Sequence, residues 1–83
     1  MTNQYKQPSR AEWYFLAALK QAFLDCGVLT HRVDDLQQLE CDRFELAPDG
    51  FLRLKEHPDM TVRAYILDVV KKRRPEYFRG LKR

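Results

Sequence analysis

The sequence predicts one small α+β domain in the order long helix, short helix, β-hairpin, long helix, basic C-terminal end. Three stretches carry that prediction. "SRAEWYFLAALKQAFLDCG" is a capped run with helical spacing of its apolar residues. "FELAPDGFLRL" alternates apolar and polar residues around a turn. "VRAYILDVVKKRRP" returns to helical spacing and runs into a proline. Eighty-three residues make a single domain, and a chain this short buries only roughly 60–65% of the surface its unfolded form exposes. Its core is then one layer of helices on a small sheet, with little room for a deep substrate pocket. A hydrophobic fraction of 45% with 33% charged residues suits a folded domain rather than a disordered chain.

Residues 1–8 read as a flexible lead, 9–80 as the compact domain and 81–83 as the end of a basic tail. Ser9 and Glu12 have the spacing of a capping box, in which the Ser9 hydroxyl accepts from the Glu12 N–H and the Glu12 carboxylate reaches back. Gly27 suits the left-handed position that closes a helix, so the first helix is predicted from about Arg10 to Cys26. Phe15, Leu16, Leu19, Ala22, Phe23 and Cys26 form a wide stripe for the core. Trp13, Ala17 and Leu24, interrupted by Lys20, form a second stripe roughly 130° around the axis. A small domain rarely covers both sides of one helix. Either the last helix packs over the second stripe, or the stripe is a surface for a partner or a second copy, anchored by Trp13.

The next segment, "VLTHRVDDLQQLEC", predicts one or two helical turns, with Thr30 as cap and Val33, Leu36 and Leu39 at three-residue spacing. In the hairpin, Pro48 pre-sets φ at the first turn position, Asp49 suits the second, and Gly50 takes positive φ in a bulge. Phe44, Leu46, Leu52 and Leu54 fall on one face, and Arg43, Glu45, Arg53 and Lys55 on the other. A two-stranded hairpin is marginal alone, so it must pack on the helices or pair with another chain. The second long helix is predicted from about Pro58 or Asp59 to Arg74, with Val62, Tyr65, Ile66, Val69 and Val70 on its apolar face. Its last turn, Lys71 to Arg74, places cations at the negative end of the helix dipole, and Pro75 is expected to end or kink it. "PEYFRG" suits one more turn, opened by Pro75 and closed by Gly80, which tucks Tyr77 and Phe78 onto the body.

Several function classes lose support at this level. The polar start "MTNQYKQPS" lacks a signal-peptide core, and the longest apolar run, Trp13 to Leu19, is too short to span a membrane. Two cysteines, Cys26 and Cys41, make no disulfide scaffold, so reduced thiols in a cytoplasmic protein are expected. Together with His31 and His57 they lack the close ligand pairs of a structural zinc site, so neither metal nor cofactor is expected. Three glycines, each at an element end, exclude a P-loop or dinucleotide fingerprint. The only serine, Ser9, is explained as a cap. Asp34, Asp35, Glu40, Asp42, Glu45 and Asp49 match no calcium loop and read as a solvated acidic face, or as a docking site for a basic partner. The expectation is a protein that is not an enzyme.

Charge is unevenly placed. Residues 1–70 carry eight basic and eleven acidic side chains, whereas residues 71–83 carry seven basic and one acidic. Such an end is an interaction tail, a merely solvated end, or one that folds back onto its own acidic body. The leading expectation is a small binding or regulatory protein (adaptor, inhibitor or accessory subunit) that acts by protein–protein contact or self-association. Its patch is Trp13, Ala17, Lys20 and Leu24. The alternative is a nucleic-acid-binding module in which Lys71, Lys72, Arg73, Arg74, Arg79, Lys82 and Arg83 contact phosphate while Tyr77 and Phe78 stack or brace.

Overall fold

A computed structural model describes residues 10–57 and 59–79. The first helix, α1 (Arg10–Asp25), closes as its glycine dictates. Gly27 takes φ 97°, its N–H donates to the Leu24 carbonyl at 3.1 Å, and the Val28 N–H donates to the Phe23 carbonyl at 3.1 Å. This pair of bonds is the Schellman closure, and its accompanying apolar contact joins Val28 and Phe23, both buried. The expected Ser9 cap lies outside the described residues, as do Pro58 and Gly80.

A turn closed by the Arg32 N–H on the Leu29 carbonyl leads into α2 (Val33–Glu40). Thr30 falls inside that turn and does not cap the helix. Arg32 stands at the cap position, and its side chain makes no capping bond to the helix. The buried face of α2 is Val33, Leu36 and Glu40, not Val33, Leu36 and Leu39. Leu39 is exposed, because the i, i+3, i+7 row brings Glu40 to the core side instead.

A 3₁₀ turn, Cys41–Arg43, feeds β1 (Phe44–Leu46), which pairs antiparallel with β2 (Leu52–Leu54). The register sets Phe44 opposite Leu54, Glu45 opposite Arg53 and Leu46 opposite Leu52. The turn forms as its residues require. Gly50 takes φ 89°, its N–H donates to the Ala47 carbonyl at 2.9 Å, and the Asp49 carboxylate accepts from the Phe51 N–H at 3.0 Å. On the outer face Arg53 donates to Glu45 at 2.7 Å.

The last long helix, α3, covers residues 62–73. It is α-helical over Val62–Tyr65, π-helical over Ile66–Val70 and α-helical again over Lys71–Arg73. It starts later than predicted because Thr61 is its cap, its hydroxyl accepting from the Ala64 N–H at 3.0 Å. It ends where predicted: Arg74, ahead of Pro75, leaves helical geometry at φ −134°, ψ 62°. One 3₁₀ turn, Pro75–Tyr77, follows. The chain then pairs with the α1–α2 loop at a single antiparallel bridge, Val28 with Phe78. The Leu29 N–H donates to the Tyr77 carbonyl at 2.8 Å, and the Arg79 N–H to the Gly27 carbonyl at 2.9 Å.

One core joins these elements. Leu19 and Phe23 of α1 meet Val28, Val33, Leu36, Phe44, Leu54, Tyr65, Ile66, Val70 and Phe78. Phe23 meets Phe44 edge-on at 5.9 Å, and Phe44 meets Tyr65 at 5.8 Å, so helix, hairpin and helix are linked through three rings. Leu16, expected in the core stripe, stands at its exposed margin. There α2 runs alongside, with Gln37 donating to the Leu16 carbonyl at 2.6 Å.

Gly27→Ala tests the closure of α1. The added Cβ meets only the Arg79 Cγ at 3.8 Å, so the cost is conformational rather than steric. The expected loss is about 1–2 kcal/mol from the left-handed backbone, read as a lower thermal midpoint. An unchanged midpoint would show that α1 ends without help from this residue.

Candidate functional site

Two surfaces stand out from the fold, on different elements. The first is the outer side of α1. Trp13 is 58% exposed and Tyr14 54%, and the two rings meet edge-on at 5.6 Å. Ala17 is exposed on the same side, and Lys20 is half-buried with its ammonium 3.3 Å from Asp34 of α2. Leu24 is partly buried and packs against the core. The last helix does not cover Trp13 and Ala17, so the N-terminal half of the second stripe is open while its C-terminal end is occupied. The reason is length. At 1.5 Å per residue α1 is about 24 Å long, whereas the strands it lies on have three residues each.

The second surface is the basic end, and most of its described part is engaged with the body. Phe78 lies in the core. Tyr77 is half-buried beneath the Arg32 guanidinium, 5.2 Å from the ring centre, and Arg32 also donates to the Glu76 carbonyl at 3.1 Å. These aromatics brace the chain end, which leaves Phe78 no free face for a base. Lys72 and Arg79 are exposed and Lys71 is half-buried, while Lys82 and Arg83 lie outside the described residues.

Arg73 and Arg74 converge on Glu40, which is 1% exposed. Arg73 Nη1 stands 3.2 Å from both carboxylate oxygens, and Arg74 Nε 2.9 Å from one of them. Arg43 Nε lies 3.9 Å from the other. The Arg73 guanidinium is held above its ordinary pKa, first by its hydrogen bond with the Tyr65 side chain and then by the Glu40 charge. Glu40 is therefore no part of a solvated acidic face. Of the other acids in that run, Asp34 pairs with Lys20, Glu45 pairs with Arg53, and Asp49 caps the hairpin turn. The signal for Glu40 was its position rather than its charge: it is the seventh residue after Val33, on the apolar row of α2.

Two hollows flank these surfaces. One, of about 260 Å³, lies between α2 and the hairpin and is lined by Leu39, Asp42, Arg43, Leu54, Lys55 and Tyr65, among others. The other, of about 640 Å³, is an apolar groove between α1, the hairpin tip and the start of α3, with Ala22, Cys26, Phe51 and Val62 in its walls. Asp25 and Arg63 also line the second groove, beside Cys26, and His57 lines the first with Arg43 and Lys55. Among the described residues no three His, Cys, Asp or Glu side chains come together to hold a metal ion. Likewise, among the described residues no helix is long and apolar enough to cross a membrane. Both thiols are free. Burial raises the pKa of Cys26, with Arg63 opposing; burial and then the adjacent Asp42 raise that of Cys41.

Compared with known proteins, the chain matches no family model, no curated protein and no solved structure. Function rests on the chemistry of these surfaces.

Glu40→Gln is expected to destabilise the fold. Breaking a fully buried ion pair costs about 3–5 kcal/mol, and because the arginines here are partly hydrated the expected loss is nearer about 2 kcal/mol. A denaturant titration reads it directly. Near-wild-type stability would show that the arginines find other partners at no cost. Both thiols, being poor in thiolate, should alkylate more slowly than a small free thiol at about pH 8. Rates equal to the free thiol would show that the burial seen here is not maintained in solution.

Proposed function

We propose that this is a small non-enzymatic binding protein that acts by protein–protein contact through the outer side of α1, with Trp13 as the anchor. One observation carries the reading. A domain with little apolar surface to spare leaves Trp13 and Tyr14 side by side in water, on the overhanging turns of its longest helix. Trp and Tyr are the residues most often found at the energetic centre of interfaces, since each buries a large, stiff ring at small entropic cost. Ala17 lets a partner approach the helix closely, and the Lys20–Asp34 pair supplies a polar rim. Leu24, already packed on the core, supports the face from below rather than meeting the partner.

Sedimentation of the wild type over a range of concentrations, and quantitative affinity capture with wild-type and Trp13→Ala bait, test the reading together. The expected result is self-association or a captured protein that Trp13→Ala weakens at least about 30-fold, the loss of a hot-spot residue. The thermal midpoint should shift by no more than a few degrees, as for a surface substitution. Collapse of the midpoint would assign Trp13 to the fold and remove the interface. Identical behaviour of the two proteins, both folded, would do the same.

A further inference from the structure

We propose that Arg43, Arg73 and Arg74 form a rigid platform for the phosphodiester backbone of a nucleic acid, held in shape from behind by the Glu40 carboxylate. The proposal is independent of the α1 surface, which uses other residues on another element. Three guanidiniums lie with a nitrogen 2.9–3.9 Å from one buried carboxylate. Each guanidinium has five N–H donors in a planar fork. Arg74 meets Glu40 through Nε, Arg73 through Nη1 and Arg43 through Nε, so most donors of the three forks are left over. Their side chains keep 30–50% of their surface open to solvent. One carboxylate against three guanidiniums leaves two positive charges facing outward.

The ligand does not displace Glu40, because that would strand a carboxylate in the interior. It meets the outward N–H groups. Pinning is what makes the platform effective. A free arginine loses rotamer freedom when it binds, whereas Arg73 and Arg74 are already held by hydrogen bonds to Glu40, with Arg43 beside them at 3.9 Å. This differs from a flexible basic arm in both geometry and membership. Arg43 belongs to it although it precedes the hairpin, and the C-terminal aromatics do not, since Phe78 is buried and Tyr77 lies under Arg32. A chain of phosphates fits better than one isolated phosphate because Lys71 and Lys72 directly precede Arg73 in α3 and bring two further cations to that end of the helix. Besides Glu40, the nearest acids in sequence are Asp42, Glu45 and Glu76; Glu45 is paired with Arg53, and the other two only partly offset that charge. Without stacking, recognition is of the backbone: indifferent to sequence and steep in salt.

The test titrates a fluorescent single strand of about 20 nucleotides, and its duplex, across salt from about 50 mM upward. The proteins are the wild type, Arg43→Ala, Arg43→Lys and Arg53→Ala. Arg43 stands beyond hydrogen-bond reach of Glu40 and, like Arg53, is half exposed, so all four should melt within a few degrees of one another, Arg73 and Arg74 keeping Glu40 paired. Arg43→Ala should weaken binding about fivefold and flatten the salt slope by about 0.7–0.9. Arg43→Lys should lose most of the same affinity at unchanged charge, having no fork. Arg53→Ala, whose partner is Glu45 on the outer hairpin face, should stay within about twofold. In the wild type, the Nε–H resonances of Arg73 and Arg74 should shift on adding the oligonucleotide. Equal losses for Arg43→Ala and Arg53→Ala would mean diffuse charge and overturn the platform. So would full affinity in Arg43→Lys, or unmoved arginine resonances. Inorganic pyrophosphate moving those resonances while the oligonucleotide fails to bind would rule out a nucleic acid as the ligand.

Discussion

The fold is organised around a carboxylate that cannot be left alone. Glu40 is shut away from water at the end of α2, and a bare carboxylate there would cost several kcal/mol. Its three arginines come from two segments distant in sequence: Arg43 from the turn just after α2, Arg73 and Arg74 from the end of α3. Apolar burial is non-directional and would tolerate α3 sliding or rotating by a fraction of a turn. A carboxylate with two oxygens and three guanidiniums would not. The ionic node therefore fixes how the end of α3 sits against α2, while Tyr65, Ile66 and Val70 of the same helix pack into the core.

One end of the molecule is tied down and the other projects. At one, the Schellman closure of α1 turns the chain so that Val28 meets Phe78 and the C-terminal strand residue is held by backbone bonds. At the other, α1 outruns the short strands beneath it, and its aromatic turns project. The same economy explains both. A domain of this size has one layer of core to offer, and whatever lies beyond the hairpin's reach stays wet.

Much of the fold was legible because it rests on residues with one conformational role. Gly27 and Gly50 adopt positive φ where a left-handed residue was required, and Pro75 stops α3 at Arg74. Boundaries set by competing polar side chains were less legible. Thr30, the expected cap of α2, bonds no helix N–H, whereas Thr61, which the sequence pattern puts inside the last helix, caps it through the Ala64 N–H. The outer stripe of α1 was visible as a pattern, but its division into an open end and a packed end depends on the lengths of other elements. Glu40 was hidden for a simpler reason. Grouped with its acidic neighbours it looks solvated, and only the helical row it shares with Val33 and Leu36 marks it as interior. In sequence Arg73 and Arg74 belong to a C-terminal basic run, whereas the cluster around Glu40 is assembled across the chain and takes in Arg43, which lies outside that run.

The π segment of α3 ties these observations to chain length. Between Ile66 and Val70 the backbone bonds skip one residue further than in an α-helix, the Lys71 N–H donating to the Ile66 carbonyl. Such a turn accommodates one additional residue, and one residue on a helix is a rotation of about 100°. Arg73 and Arg74 thus face Glu40 by virtue of that additional residue as much as by their identity. In any relative of this chain, the residue count from Tyr65 to the arginine pair should be conserved as strictly as the arginines, and a one-residue gap there would mark a lineage in which the buried acid has also been replaced.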